Sequence, residues 1–243
     1  MDVMMEKIKL IALVFLILLA SCSTDSDESD DDNFDASVVC PAEGTNAYGM
    51  PNRGTFIDER DGQEYKYTTI GDQVWMAENL NYDAERSIVY DCNDSSCLGF
   101  GRYYYVGKDS SVNYMPYVEI NKDLMDTLCP QGWHIPSKKE WEKLFDIMGG
   151  DGYKAATRLR SSEKTFYPDG GDPPGSDDCR FHTIPSGYTK KDVAHAAGYY
   201  LCSTQAYVGG LDIAIVYVSV GFTIQPFDSY AKRYEYPVRC IKD

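Results

Sequence analysis

An apolar run of only 11 residues, Leu10 to Ala20, follows Lys7 and Lys9 and ends on Ser21-Cys22. At about 1.5 Å of rise per residue, a helix over this run covers well under the roughly 30 Å of a bilayer core. A basic start, a short apolar centre and small residues at the exit are the parts of a secretory signal, so residues 1–21 are expected to be a leader. Export constrains everything that follows. It places the chain in an oxidising compartment, where cysteines default to disulfides. Seven cysteines lie beyond Cys22: Cys40, Cys92, Cys97, Cys129, Cys179, Cys202 and Cys240. The sequence has no Cys-x-x-Cys and only three scattered histidines, a poor pattern for zinc. An odd count leaves one thiol over, and Cys40, ahead of the domain, is the expected one. Cys92 and Cys97 enclose Asn93-Asp94-Ser95-Ser96, a turn-forming stretch, and are expected to bridge a small local loop.

The exit Leu19-Ala20-Ser21-Cys22 resembles the bacterial lipobox. That resemblance implies acylation of the Cys22 thiol and cleavage just before it, with the lipid as a membrane anchor. Ser23 to Ser37 then carries seven acidic residues and no Lys or Arg. Such a segment buries too little apolar surface to offset its conformational entropy and is expected to be a disordered tether. It has two readings, a plain solvated spacer or an export signal like that of outer-membrane lipoproteins displayed at the cell surface. Seven of the 15 net negative charges lie in this stretch, leaving a net charge of −8 for the rest. An acidic chain without a basic tract argues against nucleic acid, which needs clustered Lys and Arg. The expected organisation is a leader at 1–21, a lipidated tether and linker at 22–51, and one domain at 52–243.

Within the domain, Thr55 to Asp58, the turn Arg60-Asp61-Gly62, and Glu64 to Ile70 read as a β-hairpin. Val74-Trp75-Met76 and Gly101-Arg102-Tyr103-Tyr104-Tyr105 also read as strands. The clearest helix begins at Ser137, which forms a capping box with Glu140. Trp141, Leu144, Phe145 and Met148 make one apolar stripe before Gly149-Gly150 ends it. A second short helix from about Gly152 to Ser161 would face Ala155, Ala156 and Leu159 inward. Strand-like segments follow near 180–184, 198–203, 213–220 and 237–241. Twenty tyrosines and 20 glycines suit such a strand- and loop-rich chain.

Several blocks carry a family resemblance. They are Thr69-Ile-Gly-Asp-Gln-Val-Trp-Met-Ala-Glu-Asn-Leu-Asn-Tyr82, Cys129-Pro-Gln-Gly-Trp-His-Ile-Pro-Ser-Lys-Lys-Glu-Trp141, Ile184-Pro-Ser-Gly-Tyr188, Cys202-Ser-Thr204 and Val238-Arg-Cys-Ile-Lys-Asp243. Together they resemble the Fibrobacter succinogenes major paralogous domain, a family of bacterial surface lipoproteins. The resemblance implies an α+β, C-type-lectin-like fold, with two helices flanking irregular, mostly antiparallel sheets. It brings no settled activity. In that fold the last strand returns to the centre, which implies a Cys129–Cys240 disulfide. Cys179 and Cys202 depart from the family pattern together, which most simply implies a cross-link between them.

No catalytic constellation stands out. The acidic residues form no recognisable carboxylate pair, G-x-S-x-G is missing, and His134, His182 and His195 are apart in sequence. The expectation is a non-enzymatic binding or adhesion module without a cofactor, for a glycan or another surface protein. The alternative is an enzyme on a scaffold like that of formylglycine-generating enzymes, which use a cysteine pair. Lectin calcium steps are missing, because Gln225-Pro226 is followed by Phe227. Asp169, Asp172, Asp177 and Asp178 can offer oxygen ligands to calcium, though a polar loop with turn-capping Asp residues is the favoured reading. Tyr230, Tyr234 and Tyr236 are candidates for a stacking platform at a ligand site, with core packing as the competing reading. Trp75, Trp133 and Trp141 are expected in the core.

Overall fold

The computed structural model describes residues 34–89, 99–107, 120–150, 152–163, 174–187, 197–207, 210–217, 222–226 and 235–243, with backbone pairing alone for 205–226. The expected β-hairpin forms from β1 (Arg53–Ile57) and β2 (Glu64–Ile70), with Ile57 opposite Glu64. Gly62, at φ 79°, supplies the turn conformation that a side chain would strain. Asp58 locks this turn by accepting from Arg60 at Nε (2.9 Å) and Nη2 (2.7 Å). Burial alone would raise the Asp58 pKa, but the Arg60 hydrogen bonds and charge outweigh it and hold the carboxyl below its ordinary range.

β3 (Gln73–Met76) extends the hairpin, and the C-terminal β11 (Ile241–Lys242) inserts between β3 and β6 (Trp133–His134). The result is a five-stranded antiparallel sheet in the order β1-β2-β3-β11-β6. Two three-stranded antiparallel sheets accompany it. One joins β10 (Tyr236–Pro237), β5 (Arg102–Tyr104) and β4 (Ser87–Val89); the other joins β7 (Ala197–Tyr207), β8 (Gly210–Tyr217) and β9 (Phe222–Pro226). The described helices are few: α1 (Ala36–Val39), α2 (Lys122–Leu128), α3 (Lys138–Ile147) and α4 (Gly152–Leu159). The architecture is α+β with antiparallel sheets.

Strand alternation divides the core. Val74 and Met76 join one cluster with Tyr65, Tyr67, Leu128 and Trp133, while Trp75 joins a second with Trp141, Leu144 and Leu159. α3 begins on the predicted capping box, with the Ser137 side chain and Glu140 each satisfying the other's backbone N–H. Its stripe seats Trp141 against Trp75 at a 4.7 Å ring-centroid separation. Ala155, Ala156 and Leu159 are fully buried, as the spacing in α4 predicts. The segment near 180–184 is not a strand. Thr183 makes a single bridge to Arg160, and left-handed backbone at Arg180 and His182 prevents a regular ladder.

The N-terminal boundary differs from the expected start at residue 52. The compact unit begins at Phe34. Phe34, Ala36 and Val39 pack on the second core cluster, and Gly71 N–H donates to Val39 O at 2.7 Å. Phe34 also lies under Arg158, whose guanidinium is 4.0 Å from the ring centroid. Phe34, Ala36 and Val39 are therefore partly buried, and Cys40 fully, at the edge of a segment whose composition elsewhere is acidic. Residues 1–33, including the leader and Cys22, lie outside the described residues.

The cysteines give one further correction. Cys129 and Cys240 are joined, as the resemblance implies. Cys179, however, is joined to Cys40 and not to Cys202. Cys202 is a buried thiol outside any disulfide. Its place in an apparent linker makes Cys40 the expected leftover thiol, but that segment packs on the domain and carries it to Cys179. Cys92 and Cys97 lie outside the described residues.

Candidate functional site

A cavity of about 570 Å³ opens between the β1–β2 hairpin and the segment 177–182. Strand β1 contributes Arg53 and Thr55, and β2 contributes Lys66 and Tyr67. The opposite wall carries Asp177, Arg180 and His182. Those three residues have φ of 51°, 58° and 60°. Only Arg86 among the other described non-glycine residues has a positive φ. Left-handed backbone is tolerable for Asp and His but costs about 1–3 kcal/mol at a residue such as Arg. Strain gathered on one cavity wall needs an external frame to hold it.

That frame is visible on every side. The Cys40–Cys179 disulfide ties the segment to residues 34–40, an N-terminal latch, and Cys179 O accepts from Thr68 Oγ1 at 2.6 Å. Asp177 closes the loop upon itself: it accepts from the backbone N–H of His182 at 2.8 Å, and its Oδ2 is 3.3 Å from His182 Nδ1. Arg239, only 1% exposed, donates to Phe181 O and His182 O and to Asn79 Oδ1. Its guanidinium lies 4.8 Å from the Phe181 ring and 5.3 Å from the Tyr200 ring. Burial lowers the Arg239 pKa, with Tyr200, Glu78 and Asp177 opposing that shift, and a guanidinium stays protonated inside a protein. A buried cation thus braces two carbonyls of the cavity wall through directed hydrogen bonds and aromatic faces.

The charges at the cavity are unevenly paired. Lys66 meets Glu78 at 3.3 Å. Arg53 donates to Cys40 O at 2.8 Å. Burial first, and the Arg180 charge second, depress the Arg53 pKa, with Asp177 opposing.

A second cluster sits at the junction of β6, β11 and α3. His134 Nδ1 is 2.7 Å from Asp243 and its Nε2 is 2.9 Å from Glu140. The Glu140 hydrogen bond, opposed by burial and aided by Asp243, raises the His134 pKa. Burial would raise the Glu140 pKa, but His134 and Ser137 hydrogen bonds bring it to about 2. Ser137 bonds Glu140 and caps the helix, so this arrangement clips the C-terminus to α3.

Tyr236 is corrected as a surface platform residue: it is 2% exposed, pairs with Tyr104 in the sheet and packs in the first core cluster. Tyr103, Tyr104, Tyr199 and Tyr200 are also buried. Tyr230, Tyr234, Asp169 and Asp172 lie outside the described residues. Asp177 is buried against His182, and Asp178 is 4.0 Å from Arg158 Nε. Among the described residues no group of three or more His, Cys, Asp or Glu converges as a metal site. Arg53, Arg180, His182 and Arg239 carry no sequence signal for a shared cavity beyond the place of Arg239 in the terminal Val238–Asp243 block. Trp75, Trp133 and Trp141 are buried as expected.

These features define an α+β domain with a preformed, charged cavity on a strained loop. The sequence pattern of the Fibrobacter succinogenes major domain matches residues 68–242, and the chain belongs to that family. No curated protein and no solved structure matches the chain. The matched span includes Asp177, Arg180, His182 and Arg239 but stops short of β1, so Arg53 and the Cys40 latch come from outside it.

Proposed function

We propose that this chain is an exported, lipid-anchored protein of the bacterial outer membrane whose C-type-lectin-like domain is a cell-surface binding module. The observation that carries the reading is the cavity: three left-handed residues on one wall, braced by a disulfide and a buried arginine. Strain and a buried charge are costly to keep, and a fixed recognition surface is what that cost supports. The volume is within the roughly 300–1,000 Å³ of small-molecule sites. Cys22, after its short apolar run, supports anchoring by lipid. No described helix is long and apolar enough to cross a membrane.

Two measurements test the reading. Metabolic labelling with a fatty-acid analogue marks the wild type and not Cys22→Ala; equal labelling of both defeats the anchor. A glycan-array screen of the full-length protein in mild detergent returns ligands that Thr55→Trp, at the cavity wall, no longer binds. A blank array, or hits insensitive to Thr55→Trp, defeats the binding site.

A further inference from the structure

Arg53 and Arg180 both line the cavity, close enough for the charge of one to disfavour that of the other. Among the described residues neither forms an ion pair. This arrangement occurs in an acidic chain of net charge −15, where carboxylates to neutralise two arginines are plentiful. Lys66 has taken Glu78, and Asp177 is engaged by His182. Two arginines held near one another without a direct ion pair are stabilised by an incoming anion.

We infer that the cavity recognises the carboxylate of a small acidic sugar through Arg53 and Arg180. This rests on the binding-module reading and specifies its ligand. The charge around the cavity selects a monoanion. Four cations (Arg53, Lys66, Arg180, Arg239) and three carboxylates (Glu78, Glu163, Asp177) line it, a formal balance of one positive charge from the permanently charged side chains. A carboxylate neutralises that charge, whereas a phosphate dianion overshoots it beside three acids. The planar guanidinium fork also matches a carboxylate in bidentate geometry. The remainder of the lining suits a hydroxylated ring: Thr55 and Glu163 offer hydrogen-bonding groups, and Tyr67 and Ala77 offer apolar surface.

Isothermal titration calorimetry of the full-length protein in mild detergent tests this with four probes. They are a glucuronate-terminated oligosaccharide, the same oligosaccharide with its carboxyl reduced to the alcohol, inorganic phosphate, and a short peptide with a free C-terminal carboxylate. Arg180→Gln is the principal variant, because Arg180 is exposed and, among the described residues, its side chain braces no other element. The uronate is expected to bind, and carboxyl reduction and Arg180→Gln are each expected to weaken it about tenfold to a hundredfold. The two losses should not add, since both remove one contact. Equal affinity for the reduced sugar, or no effect of Arg180→Gln, overturns the carboxylate. Preference for phosphate or for the peptide overturns the acidic sugar. Binding of neutral sugars alone, lost in Thr55→Trp, overturns this inference and leaves the binding module standing. Silence with all four probes and on the array removes both.

Discussion

Removing the Cys40–Cys179 bridge is the sharpest perturbation of the cavity wall. The two cysteines are 139 residues apart and both are fully buried. On the chain-entropy account, closing a loop of that length is worth about 5 kcal/mol. This is comparable to the whole stability of many domains, about 5–15 kcal/mol. For a domain of this size each kcal/mol moves Tm by about 2–4 °C, so Cys40→Ala/Cys179→Ala should melt about 10–20 °C lower. The single variant Cys40→Ala separates this bridge from the competing one. It leaves Cys179 in the same core cluster as Cys202, 23 residues on in sequence. If those two join, the smaller loop restores about 3 kcal/mol, and the single variant melts well above the double. The assay is thermal melting by far-UV circular dichroism, with peptide mapping of non-reduced protein. Wild-type mapping should join Cys40 to Cys179 and show Cys202 alkylated only after unfolding. A wild-type Cys179–Cys202 linkage, or a double variant melting within about 2 °C of wild type, refutes the reasoning.

Three further outcomes follow from Arg239 and from the His134–Glu140 cluster. Arg239→Lys keeps the charge but loses the fork that reaches Asn79, Phe181 and His182, leaving buried acceptors unpaired. It should cost about 2–4 kcal/mol in urea unfolding, and a loss below about 0.5 kcal/mol would show that the brace is unimportant. His134 has a raised pKa when folded, so its contribution is full below the unfolded value and is lost as pH rises through the folded one. His134→Gln should therefore destabilise more at pH 6 than at pH 9, by under about 1 kcal/mol because the pairs are part-exposed. Glu140 works oppositely: its contribution is present above its ordinary 4.5 and is lost as pH falls towards about 2. Glu140→Gln should flatten the stability profile over that acid range, and an unchanged slope would count against the clip.

Local rules made much of this fold legible. The Asp-Gly step specified the β1–β2 hairpin because few residues tolerate its turn, and the Ser137–Glu140 capping box set the start of α3 because it satisfies its own N–H groups. The stripe from Trp141 to Met148 predicted which helix face is buried, since that periodicity is a property of the helix alone. Family resemblance added the return of the last strand and the Cys129–Cys240 bridge. Other features depended on distant partners. An acidic context makes Phe34 to Val39 read as tether and linker, but packing against α4 and the second core gives those apolar groups a place that local composition cannot reveal. Cys40 consequently meets Cys179, and Cys202 keeps its thiol. Tyr236 admits both a platform and a core reading in sequence, and it is buried because β10 pairs with β5. The cavity is the extreme case. Arg53, Arg180 and Arg239 lie on three separate segments, and no spacing relates them. Only tertiary packing, which turns residues far apart in the chain into neighbours sharing one electrostatic field, decides that they face the same space.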